Sequence, residues 1–259
     1  MKQYWIDSHA HLNVDDLYND KEQIFERMRE NNVQRVLVIS TSFDELDKAI
    51  KLKEEFNSVD LAFGFHPESV NSITNKDWEK LEIILERGIL VAIGEIGLDY
   101  YWVQDNKELQ KEVFKKQLEL ANVFNLPVII HSRDAIMDTF EYLRDNSVHR
   151  KGVMHCYSGS VEMAKKFLDI GFFISFAGVI TFKNAKISRE VAKMVPCNRM
   201  LIETDSPYLT PVPFRGKRNE SSYVRYVGEE LCKIIDIDEV TLQNQLSLNY
   251  EELFAVKLT

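Results

Sequence analysis

Short apolar runs recur along the chain, and each is followed by a segment in which apolar residues return at helical spacing. Eight runs occur, at residues 4–6, 36–39, 61–65, 89–93, 128–130, 152–154, 172–176 and 200–202. They are mostly continuous rather than alternating, which is typical of parallel strands buried on both faces. We therefore predict eight buried strands.

The segment 105–124 has the clearest helical pattern. Its Leu109 and Val113 fall on one side, as a single buried helix face requires. We predict Asp105 as the N-cap, with Glu108 completing a capping-box-like pair. Other predicted helices cover residues 21–31, 43–56, 76–86, 134–144, 161–169, 188–194, 223–235 and 239–254.

Strand–helix alternation repeated eight times predicts a (β/α)8 TIM barrel of the α/β class, with parallel strands. The 259 residues suit one such barrel. No Pro/Gly/Ser-rich linker divides them, so we predict a single domain over 1–259. The alternative is an open doubly wound sheet, but no Gly-rich phosphate loop follows the first strand, which disfavours a nucleotide-binding version.

Polar side chains gather where the predicted strands end. Five of the six histidines follow predicted strands, and carboxylates accompany them. The carboxyl ends of barrel strands share one rim, so these groups converge there. Alone, each histidine is explained as a satisfied strand-end residue, but five imidazoles with several carboxylates favour a metal site. The predicted ligands are His9, His11, Glu95, His131, His155 and Asp205.

His9 and His11 lie two residues apart, so in an extended segment their side chains share a face and reach one ion. A HxH pair alone is a weak indication. Its position on the first strand makes it specific, because Glu95, His131 and His155 follow strands four, five and six, and Asp205 follows strand eight.

Composition limits the partners. The chain has 45% hydrophobic and 28% charged residues and a formal net charge of -9, which disfavours extended, nonspecific binding of duplex nucleic acid. A small site with its own cations can still accept a phosphate. Three widely spaced cysteines without a CxxC indicate a reducing compartment. With no signal-peptide pattern and no long apolar run, we expect a cytoplasmic protein without membrane contact, and nothing indicates an obligate protein partner.

The segments DSHAHL, GEIGLDY, HSRDA, HCYSG and ETDSPYLTPVPFRGKRNE closely resemble the TatD family of metal-dependent deoxyribonucleases, over nearly the whole chain and in the family's order. The resemblance implies two divalent cations. His9, His11, Glu95 and Asp205 would hold one, and Glu95, His131 and His155 the other, with Glu95 bridging. The family commonly has a proline after the last segment, where this chain has Ser221-Ser222; that departure touches the start of a helix and leaves the ligand set unaffected.

The resemblance also narrows the substrate to nucleic acid, and we expect hydrolysis of phosphodiester bonds in DNA, with RNA left open. Two bridged ions make hydroxide available near neutral pH and clamp a phosphate oxygen. Asp205 is the candidate to take the proton of the attacking water, beside Glu95 as the second catalytic residue. The negative net charge favours short or single-stranded DNA ends. Ligand type leaves zinc, manganese and magnesium open.

Further polar residues on the rim are candidates for substrate binding. His66, Arg133 and Arg215 are predicted to contact phosphate, and each has a structural alternative: a strand-end residue, a local ion pair and a solvated basic loop. The aromatic run 100–102 follows Glu95. It suits stacking on an unpaired base or packing of the loop, and we favour packing.

Two other functions stay open. Related barrels cleave amides, lactones, phosphotriesters or aminoacyl-tRNA esters with similar ligands, and fold alone does not decide among these bonds. Many of them bridge their ions with a carboxylated lysine, whereas Glu95 occupies that position here. A metal-stabilised scaffold is disfavoured because structural zinc sites are usually closed and rich in cysteine.

Overall fold

The computed structural model describes residues 3–102 and 105–258. Its eight strands form one parallel sheet in which each strand pairs with the next in sequence. The strands are β1 (Trp5–Ala10), β2 (Val33–Ser40), β3 (Val59–Phe63), β4 (Ala92–Asp99), β5 (Val128–Arg133), β6 (Gly152–Met154), β7 (Phe173–Phe176) and β8 (Met200–Ile202). The eight predicted strands are thus confirmed.

Helices follow each strand and cover the outside of the barrel. They are α1 (Asp15–Tyr18), α2 (Lys21–Glu30), α3 (Phe43–Glu55), α4 (Asn75–Glu86), α5 (Lys107–Val123), α6 (Ile136–Asp145), α7 (Val161–Asp169), α8 (Lys186–Met194), α9 (Val224–Ile235) and α10 (Glu239–Phe254). The sequential order of the parallel strands, with the segment after β8 bridged to the end of β1, confirms the TIM barrel and rules out the open doubly wound sheet. No described helix combines the length and apolar character that a membrane crossing requires.

The barrel closes between β8 and β1, just beyond the end of β8. The backbone N–H of Asp205 donates to His9 O at 2.9 Å, and the N–H of His11 donates to Ser206 O at 2.8 Å. Closure therefore takes place at the carboxyl ends of the strands, and it sets Asp205 directly beside the HxH pair.

The opposite end of the barrel is filled and covered. Apolar side chains from all eight strands form one cluster with the side chains of α10. Tyr250 of α10 donates its hydroxyl to Asp60 at 2.9 Å, and Arg35 donates to both oxygens of that carboxylate at 2.9 and 2.8 Å. Arg35 and Asp60 lie near the starts of β2 and β3, so α10 covers the amino-terminal end of the barrel. The carboxyl end is therefore the open end, where a substrate can reach the strand-end side chains.

The start of α5 differs from the prediction. Asn106 occupies the N-cap position and makes no side-chain capping hydrogen bond, so the assignment of Asp105 as the cap was wrong. The first turn instead supports β4: the Gln110 side chain accepts from Asp99 N and donates to Asp99 O, both at 2.9 Å, and also donates to Asn106 Oδ1 at 2.8 Å. The polar residues of this turn therefore fix the end of a strand rather than cap a helix.

Candidate metal centre

The first half of the site lies where β1 meets the segment after β8. His9 is fully buried, and the side chains of His11 and Asp205 are 12% and 14% exposed. Asp205 Oδ1 lies 3.7 Å from His9 Nε2 and 3.6 Å from His11 Nε2, and the two Nε2 atoms are 3.4 Å apart. Three donor atoms thus face one another at the barrel mouth.

The second half comes from strands β4, β5 and β6 and from the segment after β3. Three imidazoles face Oε1 of Glu95: His131 Nδ1 at 2.7 Å, His155 Nε2 at 2.8 Å and His66 Nε2 at 3.5 Å. His66 was predicted to contact substrate. The structure places it in the same donor group as Glu95 and His131.

Glu95 joins the two halves. Its Oε2 atom lies 3.4 Å from His9 Nε2 and 3.8 Å from His11 Nε2, on the side away from the three imidazoles that face Oε1. The five histidines are thereby divided two and three between the oxygens of one buried carboxylate. This arrangement is what a carboxylate that bridges two ions requires.

Gly97 permits the close approach of β4 and β5 at this point. Its φ is +143°, and a Cβ there would lie 2.0 Å from His131 O. A side chain at this position would push away the strand that carries His131. Gly97, the second glycine of the GEIGLDY segment, therefore allows the short distance between Glu95 and His131.

The electrostatics of the cluster depend on burial and on mutual charge. Burial opposes ionisation of Glu95, but the charges of His155 and His66 and hydrogen bonds from His131 and His155 hold its pKa well below the usual value. Burial lowers the pKa of His9, and the charge of His155 lowers it further. The pKa of His155 is raised well above the usual value because Glu95 and Glu203 outweigh its burial. A buried carboxylate needs a positive charge close to it, and a divalent cation bound between Glu95 and the imidazoles supplies that charge.

The donor set fits divalent ions. Imidazole and carboxylate donors about 2.1 Å from a shared ion stand roughly 3–3.5 Å from one another, close to the 3.4–3.8 Å separations around His9 and His11. The buried atoms His9 Nδ1 and Glu203 Oε2 also lack hydrogen-bond partners within the described residues. Three groups of histidine and carboxylate atoms here could hold a metal ion.

Buried carboxylates that the sequence analysis did not single out orient the histidines. Asp99 Oδ2 lies 3.0 Å from His131 Nε2. Glu203 Oε1 lies 3.3 Å from His155 Nδ1 and accepts from Cys156 N at 2.6 Å. A third carboxylate, Asp7, instead holds the segment after β8: it accepts from the N–H and hydroxyl of Thr204 at 2.8 and 2.6 Å, and burial raises its pKa to about 7. Carboxylates behind ligand histidines fix ring orientation, and the position of these residues at strand ends was the available indication.

The two arginines predicted to bind substrate lie in different surroundings. Arg133 ends β5, two residues after His131, and its guanidinium lies 4.2 Å from the centre of the Tyr101 ring. Arg215 lies 4.3 Å from the centre of the Phe182 ring. In the described part of the chain no hydrogen bond or ion pair joins Arg215 to the histidine cluster, so only Arg133 is connected to the site by its strand.

Five histidines surround one buried carboxylate at the mouth of this TIM barrel. This arrangement is typical of one class of enzymes, the hydrolases that depend on metal ions. The family model described as TatD related DNase matches residues 6–255. The chain therefore belongs to the TatD family, and it is a metal-dependent hydrolase of that family.

Individual relatives agree with this assignment. The chain is 40% identical over 252 residues to YabD of Bacillus subtilis, an uncharacterized metal-dependent hydrolase, covering 97% of this chain and 99% of the relative. It is 36% identical over 257 residues to YcfH of Escherichia coli, described in the same words, covering 98% and 96%. The crystal structure of YjjV, a TatD homolog from Escherichia coli, superimposes with a TM-score of 0.93 at 30% identity, covering 99% of this chain and all of that one.

Removal of metal is expected to lower thermal stability. A cation that binds only the folded state stabilises it by about 2.7 kcal/mol at a hundredfold excess over Kd, which for a chain of this size corresponds to roughly 5–10 °C in Tm. Melting curves after dialysis against a chelator, and after titration with Zn²⁺, Mn²⁺ or Mg²⁺, measure the shift. The variant His149→Ala, which removes the exposed histidine outside the cluster, should keep the whole shift. Identical melting curves with and without metal would contradict the proposed ion site.

Proposed function

We propose that the protein is a deoxyribonuclease that hydrolyses phosphodiester bonds at short or single-stranded DNA ends. The observation that carries the proposal is the position of Glu95, whose two oxygens face two separate groups of imidazoles. Two-ion sites bridged in this way suit in-line displacement at phosphorus, because the attacking and leaving oxygens both need charge stabilisation. The description of the matching family as DNase supports the same bond type.

The residues that would hold the ions follow from the contacts. His9 and His11 lie beside Oε2 of Glu95, with Asp205 facing both of these imidazoles, and His131 and His155 lie beside Oε1. When bound, two divalent cations would supply Lewis acidity that lowers the pKa of water and offsets the negative charge of the phosphate.

Asp205 is the proposed general base. Burial opposes its ionisation, but a hydrogen bond from His11 and the charges of neighbouring imidazoles keep its pKa below the usual value. It is therefore ionised at neutral pH, and it stays partly exposed at the mouth. In the proposed reaction the water oxygen attacks phosphorus and its proton passes to the Asp205 carboxylate. The bond from phosphorus to the sugar oxygen breaks, and that oxygen takes a proton from solvent and leaves as a hydroxyl group.

The bulk charge of the protein supports a preference for strand ends. With a net charge of -9, a long duplex would lie against a surface that repels it. A single strand inserted into the mouth would instead lie beside the metal centre and the positive charge of Arg133. The three cysteines are free, which supports a reducing compartment, and we propose the cytoplasm.

The decisive assay compares bond types. We expect the metal-loaded protein to shorten end-labelled single-stranded oligodeoxynucleotides and to leave covalently closed duplex circles intact, because only a free end enters the mouth. Gel analysis of the labelled products, with Mg²⁺, Mn²⁺, Zn²⁺ or chelator, measures this. Parallel panels of amides, lactones, phosphotriesters and aminoacyl-tRNA test the rival substrates. Hydrolysis of one of these with DNA left untouched would replace the proposed function by that activity.

A further inference from the structure

Two aromatic side chains stand in solvent directly after β4. Tyr101 is 49% exposed and Trp102 is 61% exposed, whereas the other two tryptophans, Trp5 and Trp78, are 1% and 9% exposed. The two exposed rings meet edge to face, with centroids 4.8 Å apart. Tyr100 alone packs as we expected of this loop, with its hydroxyl donating to Asp138 at 2.8 Å. Aromatic rings are normally placed against protein, so the exposed pair is available to a ligand.

Arg133 adds a positive charge to these rings. Its guanidinium lies 4.2 Å from the centre of the Tyr101 ring and 5.3 Å from that of Trp102. Arg133 is itself exposed, and within residues 3–102 and 105–258 no carboxylate forms an ion pair with it. In a chain with a net charge of -9, a cation without a partner beside two exposed rings favours a ligand that is both flat and anionic.

Asp99 connects this surface to the metal centre. Its Oδ1 atom accepts from the backbone N–H groups of Tyr101 and Trp102 at 2.9 and 2.8 Å, while Oδ2 contacts His131 Nε2 at 3.0 Å. Asp99 also pairs with Arg133 in the register of β4 and β5. One buried carboxylate therefore positions the aromatic backbone relative to a predicted metal ligand.

We propose that Tyr101, Trp102 and Arg133 form an aromatic shelf that stacks one unpaired base of a single-stranded nucleic acid, with Arg133 binding the adjoining phosphate. This inference rests on the proposed function. A base inside a duplex has both faces covered by its neighbours, whereas an unpaired base can turn a face to the shelf. Stacking on aromatic rings is tolerant of sequence, and a guanidinium binds phosphate through paired N–H groups. The shelf thus provides a preference for single strands without a preference for sequence.

Tryptophan fluorescence reports directly on the shelf, since Trp102 is the exposed tryptophan. The metal-loaded protein is titrated with a phosphorothioate-linked oligothymidylate that resists hydrolysis, and with an abasic oligomer of the same length and charge. We expect the thymine-containing strand to quench the emission, and the abasic strand to bind about 5- to 150-fold more weakly, as expected for loss of one stacked base. Equal affinity for the two strands would overturn the proposal and leave a phosphate contact alone.

Variants separate stacking from folding. Because replacing Trp102 removes the reporter, the affinities of the variants are measured by fluorescence anisotropy of an end-labelled oligonucleotide. Trp102→Leu should lose the preference for the thymine-containing strand over the abasic strand, whereas Trp102→Phe should keep most of the affinity because it retains an aromatic face. The matched control is Ile83→Ala on α4, which alters a side chain of similar exposure, 60%, and should bind like the parent protein; melting curves verify the fold of each variant. Normal DNA cleavage with no difference between Trp102→Leu and the parent would reject the shelf and leave the proposed nuclease function standing. Absence of both binding and cleavage of nucleic acid would reject the proposed function itself.

Discussion

Replacing Glu95 by glutamine is expected to lower hydrolysis by at least about 10³-fold, because it removes the charge that joins both halves of the metal centre. The amide has nearly the same size, so packing around this buried position is kept. The amide, however, has only one oxygen. It can accept on the side of His9 and His11 or on the side of His131 and His155, but not on both. Two cations would then repel each other without a bridging anion, and at least one ion should be lost.

Metal analysis and kinetics together measure this effect. The variant should contain less than the metal stoichiometry of the parent protein, and kcat should fall with it. Glu82→Gln, an exposed carboxylate of α4, is the control for loss of one negative charge and should leave both quantities unchanged. Full metal content with parental turnover in Glu95→Gln would contradict the bridging role.

Asp205→Asn is expected to have a different signature. The asparagine carbonyl oxygen can still face an ion, but the side chain no longer accepts a proton from water. We expect kcat to fall by about 10²- to 10⁴-fold, the usual contribution of a general base, while the ion near His131 and His155 stays bound.

The backbone offers a close control for this second variant. Asp205 and Asp236 have φ values of +54° and +55°, a region that asparagine also tolerates, so Asp236→Asn at the end of α9 makes the same change in the same conformation without touching the site. It should be fully active. If Asp205→Asn kept parental kcat, the proton acceptor would have to be another group; if it lost both ions, Asp205 would be essential to the whole centre rather than to one half.

The architecture was predictable because parallel strands buried on both faces produce continuous apolar runs, and these runs are legible without an alignment. The exact ends of the strands were harder to predict at the mouth of the barrel. The run 89–93 predicted β4, but the strand is Ala92–Asp99, since its last residues are the polar and glycine positions of the site. A strand that carries chemistry at its end loses there the apolar pattern by which it is recognised.

The site was predictable to the level of which strand ends meet, and less so for individual side chains. All six predicted ligands gather at one mouth, and their service as ligands stays a prediction. In the segment Glu203-Thr204-Asp205 the apolar pattern does not separate the two carboxylates, and the resemblance favoured Asp205. In the structure Asp205 has a left-handed conformation, and Glu203 turns to His155 and Cys156 N. The exposure of Trp102 was likewise hidden: an aromatic run beside a strand has the same composition whether it packs or faces water.

Helix α10, which covers the amino-terminal end of the barrel, limits how substrate enters and product leaves. Tyr250 of α10 and the Arg35–Asp60 pair close that end. In the described chain the barrel is therefore open only at the carboxyl ends of its strands. No molecule can pass through the barrel, so substrate enters and product leaves at the same end. A product that stays bound at the mouth therefore blocks the next substrate.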